Sequence, residues 1–334
     1  MKKFIILSLL AAMCMSSAQE LYIYSERHYT ADKKIFAEFT EKTGIEVKVI
    51  KAGADELLAR LKSEAKAPVA DVYITKDAAQ LDRATKAGLL APLNSPIIEA
   101  QVPAELRGKE NTWTSITMRG RVIVYAKDRV KDQLPVTYMD LADEKYRGRV
   151  LVRSSSSAYN RSLLASIINN QGKQEALKWA QGITHNMARP PQGGDRDQIR
   201  AVAQGIGDFA ITNTYYLGIM ETSDSETDRQ ARDAVNIIFP KSGEQGTHVN
   251  VSGAGIVKGA KNVENARLFL EFLVSNDIQI KYQKLTSEYA VAKGVEFEQL
   301  QKNWGELSPD TQSLHSLIEY NADAVKLLGI AGWQ

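Results

Sequence analysis

Short apolar runs alternate with longer amphipathic stretches from residue 19 to Gly88. In the longer stretches, apolar side chains recur three or four positions apart, which predicts helices, whereas the short runs predict strands. The pattern predicts strands at 21–24, 45–49 and 71–75 and helices at 31–42, 55–65 and 77–86. Because strands alternate with helices, we expect βαβ units and a parallel sheet.

A second α/β series begins beyond residue 120. The apolar run RVIVYA at 121–126 predicts a strand, and a new series starts near residues 149–152. The same patterns predict strands at 208–212 and 235–239, helices at 159–169, 174–181, 265–275 and 308–328, a loop at 189–197, and a charged helix or loop at 221–233. A chain of 334 residues exceeds what one hydrophobic core usually organises, so two domains are expected.

The first eighteen residues have the pattern of a secretory signal peptide. Lys2 and Lys3 are followed by the apolar run 4–15 and by small residues that end at Ala18. The run is shorter than the roughly 20 residues that span a bilayer, which disfavours an uncleaved anchor. We therefore expect cleavage near Ala18 and a periplasmic protein. The single cysteine, Cys14, lies in this segment, so the mature chain has no thiol for a disulfide or a metal site.

The charge balance argues against a nucleic acid partner. Without Lys2 and Lys3 the chain has 40 basic and 40 acidic residues, so no net charge draws it to nucleic acid or to an anionic membrane. Apolar residues make up 44% of the chain and charged residues 25%, which is ordinary for a soluble globular protein.

Two α/β regions behind a secretion signal suggest a bilobal solute-binding protein. Each lobe would be a mixed sheet flanked by helices, with the ligand in the cleft between the lobes. The chain of such a protein crosses between lobes more than once, and we place crossings near Gly120 and Lys241. The expected boundaries are a signal peptide at 1–18, a first lobe at 19–119 and 241–290, and a second lobe at 120–240 and 291–334.

Ligands of such sheets bind beyond the carboxyl ends of strands, and a tyrosine pair stands at one of these ends. Tyr215 and Tyr216 lie in the segment NTYY, directly after the predicted strand 208–212. Two adjacent tyrosines in a loop can both face a cleft. The alternative is that one ring packs in the core while the other lies on the surface.

Two further strand ends carry candidate residues. His28 and Tyr29 follow the first strand in the segment YSERHY, and Tyr159 follows a run of serines in RSSSSAYN. The serines offer hydroxyls and free backbone N–H groups at a helix N-terminus, which suits an anion or serves only as a helix cap. His28 has an alternative as a surface or capping histidine, since most histidines bind no metal.

Several phenols and one imidazole together indicate a hard, highly charged cation. Fe³⁺ prefers anionic oxygen, and phenolate is an iron ligand in catalase haem. Softer metals favour Cys, Met or clustered His. A free phenol has a pKa of about 10, so the metal must displace the proton and binding depends on pH.

At these residues the sequence resembles the ferric-iron-binding proteins of ABC importers, in particular a tyrosine-rich branch typified by cyanobacterial and Campylobacter proteins. YSERHY, RSSSSAYN and NTYY look like three landmarks of that branch, in its order and spacing, and the resemblance covers nearly all of the mature chain. It implies an extracytoplasmic protein that captures Fe³⁺, free or as a chelate, and delivers it to an ABC permease and its ATPase at the inner membrane. We expect a monomer that is not an enzyme.

The resemblance also implies an iron site with ligands from both lobes. The implied ligands are His28, Tyr29, Tyr159, Tyr215 and Tyr216. The candidates for a neighbouring positive charge are Arg119, Arg121 and Arg153. The first two ligands belong to the expected first lobe and the other three to the second.

The charge of such a site needs compensation. Four tyrosinates around Fe³⁺ carry a net charge of −1, which is costly to bury unless it is paired. An arginine that the branch often has shortly after the paired tyrosines is absent, because residues 217–220 are Leu-Gly-Ile-Met. A carbonate would add negative charge, so we expect no anion ligand if all four tyrosines bind deprotonated.

Two other classes of function stay open at this point. A polyamine or small-anion carrier on the same fold would need several acidic residues or several arginines at the strand ends, and Asp55 and Arg153 are few for either. A secreted enzyme would need a nucleophile with a base or a metal-hydrolase motif, and the sequence contains no HExxH and no GxSxG.

Overall fold

The computed structural model describes residues 19–242 and 244–334. The predicted signal peptide and its cleavage near Ala18 lie outside these residues. The strands are β1 (Glu20–Ser25), β2 (Glu46–Lys51), β3 (Val72–Thr75), β4 (Leu90–Ala91), β5 (Trp113–Ala126), β6 (Val150–Leu151), β7 (Phe209–Asn213), β8 (Val235–Ile238), β9 (Thr247–Val257) and β10 (Pro309–Asp310). The helices are α1 (Thr30–Thr43), α2 (Ala54–Ser63), α3 (Ala78–Lys86), α4 (Pro96–Gln101), α5 (Ala158–Asn186), α6 (Asp195–Ala203), α7 (Thr214–Glu221), α8 (Glu226–Asp233), α9 (Val263–Val274), α10 (Asn276–Thr286), α11 (Gln299–Trp304) and α12 (Leu317–Ile330).

The strands form one mixed sheet in the order β2-β1-β3-β9-β5-β7-β6. The predicted parallel pairing is confirmed at the first edge, where β1 runs parallel to both β2 and β3. The sheet then turns antiparallel through β3–β9, β9–β5 and β5–β7, and β6 runs parallel to β7. Among the described residues, no helix is long and apolar enough to cross a membrane.

Strand β5 belongs to both parts of this sheet and changes partner in its middle. From Trp113 to Gly120 it pairs with β9, and from Arg121 onward it pairs with β7 and β8. Residues 119 and 121 therefore flank the point at which one part of the sheet passes into the other.

Apolar side chains on the helices cover the first part of the sheet. Ile35, Phe36 and Phe39 of α1 are buried, as the predicted helical face requires. The Phe39 ring packs edge-on against Phe269 of α9, with 5.0 Å between ring centroids. Helix α1 ends at Gly44, which takes the left-handed conformation (φ 73°) that glycine adopts without strain.

The elements predicted before Gly88 are confirmed to within two residues at each end. The two helices predicted at 159–169 and 174–181 form α5, which is interrupted where Gly172 has φ 84°. The loop predicted at 189–197 is wrong at its end because α6 already begins at Asp195. There the side chain of Asp197 accepts a hydrogen bond from the N–H of Gly194 at 2.7 Å and caps the first turn.

The helix predicted at 308–328 is wrong in its first half. Pro309 and Asp310 instead form strand β10, which pairs with β9, and helix α12 begins only at Leu317. Proline lacks the N–H of a helical residue, so the pairing with β9 takes precedence there. Strand β9 itself is missing from the sequence prediction, although every one of its residues is buried.

Candidate metal site

Four tyrosines stand at the beginnings of three helices. Tyr29 is the N-cap residue of α1, and Tyr159 lies in the first turn of α5. Tyr215 and Tyr216 lie in the first turn of α7, directly after β7, and not in a loop as predicted. A helix N-terminus carries a partial positive charge, so all three helices present these phenols where a negative charge is stabilised.

Three of the phenols form a compact cluster. The hydroxyl groups of Tyr159 and Tyr215 are 3.2 Å apart, within hydrogen-bond distance. The rings of Tyr215 and Tyr216 pack with 4.2 Å between centroids. Only 6% of Tyr215 is exposed, and Tyr159 and Tyr216 are half-buried. Neither ring of the pair is fully exposed.

Tyr29 approaches this cluster from the first part of the sheet. Its hydroxyl donates a hydrogen bond to Glu288 Oε1 at 3.1 Å, and the guanidinium of Arg27 lies 4.5 Å from its ring centroid. Glu288 is fully buried and also accepts a hydrogen bond from Thr117. Arg27 pairs with Asp32 at 3.2 Å.

The pKa shifts show that the phenols share one electrostatic environment. Burial raises the pKa of Tyr29 well above its ordinary value, and Glu288 and Tyr159 add to that rise. Burial likewise raises the pKa of Tyr215, with further contributions from Tyr159, Tyr29 and Tyr216. Burial also raises the pKa of Tyr216. Tyr29, Tyr159 and Tyr215 thus lie close enough to act on one another, and burial favours the neutral form of Tyr29, Tyr215 and Tyr216 until a cation displaces their protons.

Three guanidinium groups surround Tyr159. Those of Arg119, Arg121 and Arg153 lie 5.9, 5.6 and 5.2 Å from its ring centroid. Two of them share one carboxylate: Arg153 donates to Asp195 Oδ2 at 2.8 Å, and Arg121 pairs with Asp195 Oδ1. Asp195 is fully buried at the start of α6, so it fixes both arginines beside the phenols.

Arg119 differs from its two neighbours because it pairs with no carboxylate in the described part of the chain. It is 2% exposed, it donates to the backbone oxygen of Lys76, and its Nη1 has no hydrogen-bond partner among the described residues. Burial lowers the pKa of Arg119, but Glu288 and the phenols of Tyr29 and Tyr159 outweigh that effect, and the pKa is raised. Its charge is therefore available to the phenols.

The remaining predicted ligand, His28, is exposed. It lies between the buried Arg27 and the half-buried Tyr29, and its side chain makes no hydrogen bond or ion pair within the described residues. The structure thus brings the four tyrosines and the three predicted arginines together, while His28 is exposed just before the N-cap residue of α1.

Three residues of the site are missing from the sequence prediction. Arg27 lies inside the segment YSERHY and was a visible candidate, since a buried cation beside Tyr29 suits an anionic ligand. Asp195 fell in the segment interpreted as a loop. Glu288 follows α10, a helix that the sequence pattern did not reveal, so no local signal marked it.

A model of the bacterial extracellular solute-binding protein family matches residues 34–307 of this chain. Iron uptake protein A1 of Synechocystis is 44% identical over 316 residues, which cover 95% of this chain and 88% of that protein. The Fe(3+)-binding periplasmic protein of Serratia marcescens is 27% identical over 285 residues, covering 85% of this chain and 82% of that protein.

Solved structures give the same result for the fold. The Trichodesmium FutA protein, solved in complex with iron and citrate ligands, is 42% identical and superimposes with a TM-score of 0.89, covering 94% of this chain and all of that one (100%). The ferric binding protein from Campylobacter jejuni is 40% identical with a TM-score of 0.87, covering 94% and 100% of the two chains. These matches confirm the predicted two-lobed α/β fold.

Proposed function

The chain belongs to the bacterial extracellular solute-binding protein family, as its resemblance to ferric-binding proteins predicted, and on that premise we propose that it captures Fe³⁺ outside the cytoplasm and delivers it to an ABC-type importer. The names of its relatives, an iron uptake protein and an Fe(3+)-binding periplasmic protein, support this proposal. They also support a periplasmic location and a permease with its ATPase as partners.

The observation that carries the proposal is the convergence of four phenols at three helix beginnings. The ligands that we propose are Tyr29, Tyr159, Tyr215 and Tyr216. Their oxygens are the hard, anionic donors that Fe³⁺ prefers once the protons are displaced. Within residues 19–242 and 244–334, no cluster of three His, Asp or Glu side chains offers a competing metal site. We also propose the exposed His28 as a further ligand, because it precedes Tyr29 in the chain.

The charged groups around the phenols have a net charge opposite to that of a ferric tyrosinate centre. The groups that contact the phenols, with their ion-pair partners, are Arg27, Arg119, Arg121, Arg153, Asp32, Asp195 and Glu288. Four guanidinium groups and three carboxylates give this shell a net charge of +1. Fe³⁺ with four tyrosinates carries −1, so the two charges cancel without an anion ligand and without the arginine that the sequence lacks after Tyr216.

The positions of the ligands along the chain imply capture by closure. Tyr29 belongs to the proposed first lobe (19–119 and 241–290), and the other three tyrosines belong to the proposed second lobe (120–240 and 291–334). The metal completes its coordination only when the lobes meet, as in other proteins that close around a ligand by hinge motion. The partner change of β5 after Gly120 supports one crossing at that point.

A metal panel tests this function directly. The protein is stripped of metal, and its melting temperature is then measured with ferric citrate, Fe²⁺ under anaerobic conditions, Zn²⁺, putrescine, sulfate, and citrate alone. A ligand that binds only the folded state stabilises it by about 4 kcal/mol at 1,000 times its Kd. Of the compounds in the panel, only ferric citrate should therefore raise the melting temperature strongly. Elemental analysis should give one iron per chain.

The arginines around Tyr159 define the competing outcome. If sulfate or citrate alone stabilises the protein as strongly as ferric citrate does, the site is an anion site and the ferric assignment fails. If putrescine alone does so, the protein is a polyamine carrier.

A further inference from the structure

Helix α7, which carries the paired tyrosines, contacts the segment that follows α10 at an unusually short distance. Gly218 lies on α7 three residues after Tyr215, which is about one helical turn. A Cβ built on Gly218 would come closer than 3.0 Å to both Cβ and Oγ of Ser287, and would lie 3.0 Å from Leu300 Cδ2. Ordinary carbon contacts begin at 3.4 Å, so a side chain at position 218 would push α7 and Ser287 apart.

Ser287 has little freedom to move away. It ends α10 in the left-handed conformation, with φ 59°, and its N–H donates to Gln283 O at 2.9 Å. Two residues later, Tyr289 exchanges backbone hydrogen bonds of 2.7 and 3.0 Å with Met118 of β5. A rotation of the serine side chain would move Oγ, but it would leave Cβ in the way. The segment is therefore fixed at both ends, and α7 would have to give way.

The same segment holds the tyrosine of the other lobe. Glu288, the next residue after Ser287, accepts the hydrogen bond from the Tyr29 hydroxyl. The contact between Gly218 and Ser287 thus joins the helix of Tyr215 and Tyr216 to the residue that positions Tyr29. In the proposed division of the chain, Gly218 lies in the second lobe and Ser287 in the first.

We propose that Gly218 is a positioning residue of the iron site: its lack of a side chain lets α7 reach Ser287 when the lobes close, so that Tyr215 and Tyr216 meet Tyr29 around one Fe³⁺. This inference rests on the proposed function and adds the element that sets how far the lobes close. A functional constellation must be held within roughly 0.5 Å. Bringing this contact out to 3.4 Å takes a shift larger than that tolerance.

The test compares Gly218→Ala with Gly329→Ala, a helical glycine of α12 with no atom within 4 Å of an added Cβ. Each protein is titrated with ferric citrate against a competing chelator, and solution scattering gives the radius of gyration with and without iron. We expect Gly218→Ala to bind Fe³⁺ at least about ten-fold more weakly and to become less compact on loading than the wild type. Gly329→Ala should match the wild type in both measurements.

A rescue experiment separates the contact from a general defect. Ser287→Gly removes the two nearest atoms that an alanine at position 218 would meet and leaves only the flexible end of Leu300, and glycine suits the left-handed backbone at position 287. The double variant Gly218→Ala with Ser287→Gly should therefore recover affinity and compaction relative to Gly218→Ala alone. A double-mutant cycle with both single variants measures the coupling.

Each outcome decides the inference. If Gly218→Ala binds iron and compacts like the wild type, Gly218 has no positioning role. If Gly218→Ala does not fold without iron, or if Ser287→Gly gives no rescue, the contact belongs to the permanent core and the inference is also overturned. If the wild type itself binds no Fe³⁺, the proposed function fails first, and the inference fails with it.

Discussion

Arg119→Gln is the substitution that tests the charge balance of the site most sharply. Arg119 is buried beside the phenols and forms no ion pair with a carboxylate in the described structure, so its charge acts on the phenols as well as on Glu288. Glutamine removes that charge and keeps a polar side chain. Burial raises the pKa of Tyr29, Tyr215 and Tyr216, and the proposed ferric centre carries −1, so the loss should weaken iron binding far more than it changes the metal-free protein.

The expected size follows if the distance from Arg119 to the Tyr159 ring stands for the separation of the charges. The guanidinium of Arg119 lies 5.9 Å from the ring centroid of Tyr159. Two opposite unit charges at that separation attract by about 3 kcal/mol at an effective dielectric constant of about 20. Since about 1.4 kcal/mol corresponds to a factor of ten, Arg119→Gln should weaken Fe³⁺ binding about 100-fold.

Competition between the protein and a chelator, followed by visible absorbance, measures this change. Two control variants accompany this measurement. Arg119→Lys keeps the positive charge and should recover much of the lost affinity, although lysine lacks the planar fork of arginine. Arg129→Gln breaks an exposed ion pair with Asp208, 3.1 Å long and remote from the phenols, and should leave iron binding unchanged.

The reasoning is refuted if Arg119→Gln binds Fe³⁺ as tightly as the wild type while melting at a similar temperature without metal. That result would mean that the centre carries no net negative charge, as it would if one tyrosine stayed protonated. An equal loss in Arg119→Gln and Arg119→Lys would assign the effect to shape and not to charge.

The remaining predictions concern the ligands and their protons. Losing the hydrogen-bond partner of a metal ligand weakens binding roughly 10–100-fold, and Tyr215→Phe and Tyr216→Phe, which each remove a ligand, should weaken it more. Tyr125→Phe on β5 should leave binding unchanged. Chelator competition measures all three variants. His28→Ala should weaken binding by less, and overlapping acid-release curves for this variant and the wild type would remove His28 from the ligands. Burial raises the pKa of Tyr29, Tyr215 and Tyr216, so binding releases protons and weakens as pH falls. Absorbance against pH should show release with several protons per iron before circular dichroism reports unfolding; a one-proton curve would contradict the site.

The first lobe shows what local patterns predict well. Strand β1 and helix α1 were predicted because Leu21 and Ile23 form a short apolar run and Ile35, Phe36 and Phe39 repeat at helical spacing. Gly44 marked the end of the helix through its backbone freedom. In each case one neighbourhood of the sequence contains the whole physical reason.

Strand β9 shows where local patterns fail. Its sequence, THVNVSGAGIV, mixes polar and small residues, yet all of it is buried between β3 and β5. Asn250 can be buried because its side chain is hydrogen-bonded. It accepts a hydrogen bond from the N–H of Ala78 at 3.1 Å, a partner far away in the sequence. Only the assembled sheet provides that partner, so no periodicity could indicate it.

The site divides in the same way. The tyrosines were found because they stand near predicted strand ends in segments that resemble the ferric-binding family, and the arginines were named only with that resemblance. Glu288 and Asp195 act through partners 259 and 74 residues away, Tyr29 and Arg121, so their roles depend on tertiary contacts. The helical position of Tyr215 was missed, although asparagine is common at helix starts, because the tyrosines directly follow a predicted strand and were placed in a strand-end loop.

The visible spectrum of the metal-free protein during titration with ferric citrate tests the central claim most directly. Charge transfer from phenolate to Fe³⁺ absorbs visible light, so an orange to red band should grow and saturate at one iron per chain. The band should lose intensity or shift in Tyr216→Phe. A colourless protein that nevertheless holds one Fe³⁺ per chain would contradict the account, because its iron would have no tyrosinate ligand.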